Sequence, residues 1–444
     1  MTDSDWVRGD LLRHRVPAHP KALREGGEDF LTSAFHASGA LGTDNRVTRI
    51  TQFDESSIGG TGQKVFLAVE YEKPAPHLHT ELFVKFSRDF TDPVRDDSRH
   101  MMESEVRLAL LSRRPGFPVR VPTCYFADYH HDSGTGVLIT ERIAFGRNGI
   151  EPCYEKCVDY EVPQALEHYR TLLTANARLA GSHRGKRLGP DIEAQFPYEP
   201  QRLLISDRIP YNPAGLKRRT DKLAEFASAY PQLLPANVRS PAFLARLAQD
   251  TQRYLAHEQA IKQYLYGGSD FVALCHWNAN IDNAWFWRNA NGELECGLLD
   301  WGRVSQLPLG QAIFGALCAA ETDLWDQHLD ELLLLFAHEY HRAGGPEITV
   351  AELKRHVQLF TALMGIAWVI FSPSVIKQQV PELSDIKDRY DPRFKRVALA
   401  RVQLQLLTVF LNAWEKQNLG AVLYEILPHL PAERATSCTA AECR

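Results

Sequence analysis

The chain has 444 residues, more than a single compact core usually accommodates, so two or three lobes are expected. Its composition is that of a globular protein: 44% hydrophobic, 24% charged, with a formal net charge of −5. No basic surplus points to nucleic acid or an acidic membrane surface. The eight cysteines contain no C-x-x-C pair that would argue for zinc, and the opening MTDSDWVRGD has no signal-peptide pattern, so a cytoplasmic location is expected.

Apolar residues alternate at Val65, Leu67, Val69 and Tyr71, and again at Leu82, Val84 and Phe86, which predicts two half-buried strands. Met102, Val106, Ala109 and Leu110 share one face of a helix predicted at 98–113, with Ser98 as N-cap and Pro115-Gly116 as its stop. Residues 122–129 and 136–142 read as two further strands. From about Val162 the pattern turns helical, with candidates at 162–181, 241–266, 322–342, 349–371 and 392–417. A strand-rich island at 271–302 interrupts them and carries a hairpin signal, Asn291-Gly292. Residues 184–240 have weak periodicity and read as irregular structure with short helices. The most apolar run, 359–376, is broken by Thr361, Gly365, Ser372 and Pro373. It falls short of the roughly 20 apolar residues that a membrane span needs, so a buried helix and no membrane are expected. The expected fold class is α+β, with a β-rich N-terminal lobe at 1–141 and a mainly helical C-terminal lobe at 142–444.

Several common signatures fail. His338-Glu339-Tyr340-His341 is one residue short of the H-E-x-x-H zinc pattern, and Gly181-Ser182-His183-Arg184-Gly185 puts a histidine where a nucleophile elbow needs serine. No Walker loop and no G-x-G-x-x-G turn is present.

Phosphoryl transfer needs a different set of parts. A glycine-rich turn brings backbone N–H groups to phosphates, a lysine held by a carboxylate neutralises them, and oxygen ligands bind magnesium. The chain offers these parts in order. Gly59-Gly60-Thr61-Gly62 lies between strand candidates. Lys85 sits in an apolar strand, where a lysine needs a partner, and Glu105 on the next helix is the natural one, with Glu103 second. Then come His276-Trp277-Asn278-Ala279-Asn280-Ile281-Asp282-Asn283, the hairpin, and Leu298-Leu299-Asp300-Trp301-Gly302.

This block resembles the catalytic region of the aminoglycoside phosphotransferase and choline kinase-like family, which carries H-G-D-x-x-x-x-N, a short hairpin and an Asp-Trp or Asp-Phe pair. The resemblance implies a two-lobed protein-kinase-like fold, ATP and Mg²⁺ as cofactors, and a small-molecule hydroxyl as phosphoryl acceptor. It implies that His276 is the motif histidine, that Asn283 and Asp300 bind the metal, and that Lys85 and Glu105 are the strand lysine and its partner. It also implies that Thr140-Glu141-Arg142 is the hinge that holds the adenine, and that Ala177 to His183 is the family's helix ending in a histidine.

Two positions depart from the pattern. Trp277 replaces a small residue, and Asn278 stands where the catalytic aspartate belongs. An amide cannot take a proton from a hydroxyl, although its oxygen can still orient one. Asp282, adjacent to Asn283, is expected to point away from the nucleophile. The alternative to an atypical kinase is an inactive nucleotide-binding module.

Overall fold

The computed structural model describes residues 5–56, 61–205 and 207–430. The N-terminal part runs β1 (Trp6–Arg8), β2 (Arg15–Pro17), α1 (Pro20–Ala37), β3 (Val47–Ser56), β4 (Lys64–Tyr71), β5 (Glu81–Phe86), α2 (Pro93–Asp97), α3 (Met102–Leu111), β6 (Cys124–His130) and β7 (Thr135–Glu141). Five of these strands form one antiparallel sheet in the order β3-β4-β5-β7-β6. The alternation seen in the sequence gives the sheet two packed faces. Val65, Leu67, Leu82 and Val84 pack with Leu31 and Phe35 of α1, while Met102 and Val106 of α3 pack with Ala127 and Leu138.

The start of α3 differs from expectation. Ser98 does not cap it; Asp92 caps α2 by accepting from the Val94 and Arg95 amides, and Ser98–Met101 form a 3₁₀ turn leading into α3. Asp92-Pro93 is the stronger helix start, because proline at the first position has no amide to satisfy.

The C-terminal part opens with α4 (Ala165–Arg184), α5 (Ile192–Gln195), α6 (Pro200–Ile205), α7 (Pro213–Ala229) and α8 (Pro241–Gly267). The small strands β8 (Val272–Cys275), β9 (Ala284–Arg288), β10 (Leu294–Leu298) and β11 (Ser305–Pro308) follow. Then come α9 (Leu309–Leu317), α10 (Thr322–Gln327), α11 (Leu329–Arg342), α12 (Val350–Met364), α13 (Ser372–Gln379), α14 (Pro392–Arg396), α15 (Ala398–Lys416) and α16 (Leu419–Ile426).

Here α7 corrects the reading of 184–240 as short helices only: it is 17 residues long and is capped by Asn212, which accepts from the Gly215 amide. Two predicted helices are each divided in two, 322–342 at His328 and 392–417 at Val397. The helix predicted at 349–371 leaves the α geometry at Gly365–Val369, which is π-helical. Gly365 is pressed against α15, and a Cβ there would lie 1.9 Å from Phe410 Cδ2. Among the described residues no single helix is long and apolar enough to cross a membrane. Among the described residues one bent pair has suitable composition, α12 and its π turn with α13, and its stretch 359–367 is buried throughout.

The short ladders position the 276–302 block. β8 pairs with β11, so Cys275, just before His276, faces Ser305, just after the Asp300-Trp301-Gly302 turn. β9 and β10 form the expected hairpin, with Gly292 at φ +80° in its loop. The loop between β8 and β9 is anchored to the end of α9. Asn280 Nδ2 donates to Gly315 O at 2.6 Å and Ala316 O at 3.0 Å, satisfying helix-terminal carbonyls. Gly315 has no room for a side chain, since a Cβ would lie 1.7 Å from Trp277 O. Gly315→Ala must therefore separate α9 from the loop. It is expected to lower the unfolding free energy by about 2 kcal/mol in urea titration, the usual cost of overpacking.

Candidate functional site

Lys85 lies in the middle of the sheet, paired with Leu138 on one side and Lys64 on the other, and only 8% of it is exposed. Its Nζ donates to Glu105 Oε2 at 2.7 Å and to Asp300 Oδ1 at 2.9 Å. Burial alone would lower its pKa; the two carboxylates outweigh that and hold the ammonium form. The Lys85 charge holds the Asp300 carboxyl below its usual range, against the opposing effect of burial. Three residues that are distant in sequence thus meet at hydrogen-bond distance. Asp300 has φ +54°, a left-handed conformation that aspartate tolerates better than most residues.

His276 is buried and packs against Trp301, with the ring centroids 4.5 Å apart and the ring planes tilted by 60°. Its Nε2 meets Leu299 O at 2.8 Å and its Nδ1 accepts from the Asn278 amide at 3.2 Å. These partners assign the proton to Nε2, and burial lowers the ring's pKa, so the imidazole is neutral. Both nitrogens are used inside the protein, and His276 therefore orients the loop rather than moving protons. Asn283 is drawn to the same point: its backbone oxygen accepts from the Leu299 amide at 2.8 Å. Its Nδ2 donates to Asn278 O at 3.0 Å and Asn278 Oδ1 at 3.2 Å. Among the described residues nothing donates to Asn283 Oδ1 or to Asp300 Oδ2. Two such free oxygens fit a hard cation of the magnesium type, which takes few protein ligands and completes its shell with phosphate and water.

Gly59 and Gly60 lie outside the described residues. Gly62 has φ +53°, and a Cβ on it would lie 1.8 Å from Phe86 O, so the turn closes tightly over β5. Its carbonyl accepts from Arg95 Nη2 at 2.8 Å and from Lys64 Nζ at 3.2 Å; Lys64 also reaches Thr61 O. Sequence reasoning missed Lys64. It is buried beneath the turn, and burial, with Lys85 and Arg95 nearby, brings its pKa down to about 8. Lys156 was also missed: its Nζ lies 3.2 Å from Asn280 Oδ1 and 3.7 Å from Asp282 Oδ2. Asp282 is thus engaged by a lysine, while burial pushes its carboxyl up. The Glu141 carboxylate is spent on the Thr123 amide at 2.7 Å and His79 Nε2 at 3.0 Å, and its own amide donates to Thr123 O. Any contact to an adenine edge would fall to the residues beyond it.

A cavity of about 630 Å³ opens beside the block. Its walls are the outer face of α3, the segment 194–199, Trp277, residues 303–307 and the π turn after α12.

The two contacts of Lys85 differ in environment. The Glu105 side chain is 7% exposed and that of Asp300 57%. Lys85→Met is expected to lose about 3–5 kcal/mol in urea unfolding, because it leaves a buried carboxylate unpaired. Asp300→Asn, which keeps the left-handed backbone comfortable, is expected to lose about 1 kcal/mol or less.

The sequence matches no family profile and no curated protein. Solved structures do match. A choline kinase from Cryptosporidium parvum is 15% identical over 85% of this chain and 90% of its own, with a TM-score of 0.39. An ethanolamine kinase from Plasmodium vivax is 11% identical over 82% and 83%, with a TM-score of 0.42. An aminoglycoside phosphotransferase from Streptomyces rimosus, in complex with ADP and streptomycin, is 12% identical over 71% and 92%, with a TM-score of 0.34. These three are small-molecule kinases. The function is argued from this chain's own residues.

Proposed function

We propose that this protein is an ATP- and Mg²⁺-dependent phosphotransferase acting on a small-molecule hydroxyl, with catalysis by positioning and charge neutralisation rather than by a carboxylate base. The observation that carries this reading is the convergence of Lys85, Glu105 and Asp300 at hydrogen-bond distance across the cleft. A bound nucleotide and metal would supply the transferable phosphoryl group and the charge that neutralises it. Glu105 keeps Lys85 extended toward the cleft, where Lys85 and Lys64 would face the phosphates of a bound nucleotide. Asp300 Oδ2 and Asn283 Oδ1 are the oxygens that would hold the metal. Asn278 Oδ1 accepts one bond from Asn283 and keeps a second lone pair, which can fix the direction of a substrate hydroxyl. The hydroxyl proton leaves late in a loose transition state, passing to an oxygen of the transferred phosphoryl group or to water, so the missing base costs rate but does not forbid reaction.

If this is correct, Asn278→Asp should raise kcat by about 10²-fold or more, the lower end of what a general base contributes, and Asp300→Ala should abolish Mg²⁺-dependent turnover. Both are read by ADP release against a panel of hydroxyl-bearing metabolites. Absence of turnover with every acceptor, before and after Asn278→Asp, rejects the proposal.

Lys64 adds a pH signature. A phosphate binds its ammonium form, and the pKa in the free protein is about 8. Below that value the charge is already present. As pH rises through it, binding must also take up a proton, so Mg-ADP affinity should weaken above about pH 8. Lys64→Met should lower the affinity and flatten this dependence in calorimetric titration.

A second reading, an inactive nucleotide-binding module, is favoured by the bond from Asn283 to Asn278, which ties up part of the residue that should meet the acceptor. It predicts thermal stabilisation by Mg-ATP with no ADP produced.

A further inference from the structure

The cavity beside the block has a chemical character of its own. Its charged residues are neutralised within the protein. Glu103 is bonded to Arg107 at 2.8 Å and to His131 at 2.9 Å. Asp207 faces Arg303 at 3.7 Å, and Glu199 also has a partner. The Arg303 guanidinium lies 5.5 Å from the centre of the Trp277 ring and so already occupies a cation-binding face. Among the described residues, a cationic acceptor finds no carboxylate waiting for it, and an anionic one finds no unengaged arginine.

What the walls offer instead is flat apolar surface. Trp277, Phe196, Met364 and Trp368 all line the cavity. Trp368 is the only exposed residue between Thr361 and Ile370, and it is 45% exposed. It stands on the π turn, a geometry that costs backbone regularity and recurs at functional sites. Gln311, 7% exposed in the same wall, has an amide oxygen that no protein group meets. Trp277 directly precedes Asn278, and residues 303–307 follow the Asp300 turn, so the walls begin beside the residues that would handle the hydroxyl.

We infer that the phosphoryl acceptor is an uncharged alcohol built on a flat or apolar-faced ring, whose ring is held by Trp368 and Trp277 while its hydroxyl extends toward Asn278. This inference rests on the phosphotransferase reading for the role of the ligand, but its test does not.

Binding of four probes to the full-length protein is measured by calorimetry without nucleotide: salicin and 2-phenylethanol as neutral ring alcohols, choline and kanamycin as cations. The neutral probes are expected to bind more tightly than the cations. Trp368→Ala is expected to weaken salicin about ten-fold, the scale of one lost aromatic contact. Leu334→Ala, an exposed apolar residue outside the cavity, is expected to change nothing. Choline or kanamycin binding as tightly as salicin overturns the inference. So does salicin binding that is indifferent to Trp368→Ala, or no binding by either neutral probe. Salicin binding in a protein that does not bind Mg-ADP instead leaves the cavity assignment standing and rejects the phosphotransferase reading.

Discussion

An ammonium buried in the middle of a β-sheet is the constraint on which the site depends. Lys85 cannot be dehydrated there without compensation, because an uncompensated interior charge costs several kcal/mol. Two carboxylates compensate it, one from the helix packed under the sheet and one from a turn 215 residues further along the chain. The pair with Glu105 is shielded, while Asp300 remains open to solvent on its other side. On the proposed reading, that asymmetry would hold the lysine in place and leave a carboxylate oxygen of Asp300 accessible from the cleft. The rest of the C-terminal block serves to deliver Asp300. The His276–Leu299 and Asn283–Leu299 bonds close on the residue just before it, and the β8–β11 ladder fixes the chain just after its turn.

The asparagine at 278 changes the charge of the cleft as well as its chemistry. Lys64 and Lys85 face Glu105 and Asp300 there, two positive charges against two negative. An aspartate at 278 would add a third negative charge close to Asp300. Its absence makes the cleft a better host for a polyphosphate, since each nearby like charge weakens anion binding by an amount that grows as solvent is excluded. On the proposed reading, the asparagine would lack a base and at the same time ease donor binding.

The strand alternation, the Lys85–Glu105 pair and the ordering of the block were legible because each has a local signal: a period of two, a charge among apolar neighbours, a hairpin turn. Lys64 was not legible, although it stands directly across from Lys85. The register across residues 72–80 depends on how that connection folds, and no periodicity reports it. Lys156 comes from a stretch with no regular structure to place it. The long helix α7 was under-read because its buried positions, Leu216, Thr220, Leu223, Phe226 and Ala227, are diluted by the Arg, Lys and Asp residues of its outer face. The π turn looked like a mere interruption at Gly365. At Gly365 the chain lies so close to Phe410 that no side chain would fit, a tertiary contact that no local pattern reports, and Trp368 stands exposed on the same turn.

Helix α3 connects the two halves of the argument. Residues 103, 104 and 107 share the side that lines the cavity, while Glu105 and Val106 turn inward to the lysine and the core, as the 3.6-residue period requires. One rigid element therefore carries both the ligand of Lys85 and a wall of the acceptor cavity. The Arg303 amide, just past the Asp300 turn, also donates to Met101 O at the base of that helix. A molecule seated against α3 restrains the helix whose position sets Glu105, and an ordered Lys85–Glu105 pair in turn fixes the wall the acceptor meets. If the proposed donor and acceptor sites are right, they lie on opposite faces of one helix, and its rigidity would couple them so that each is better formed when the other is filled.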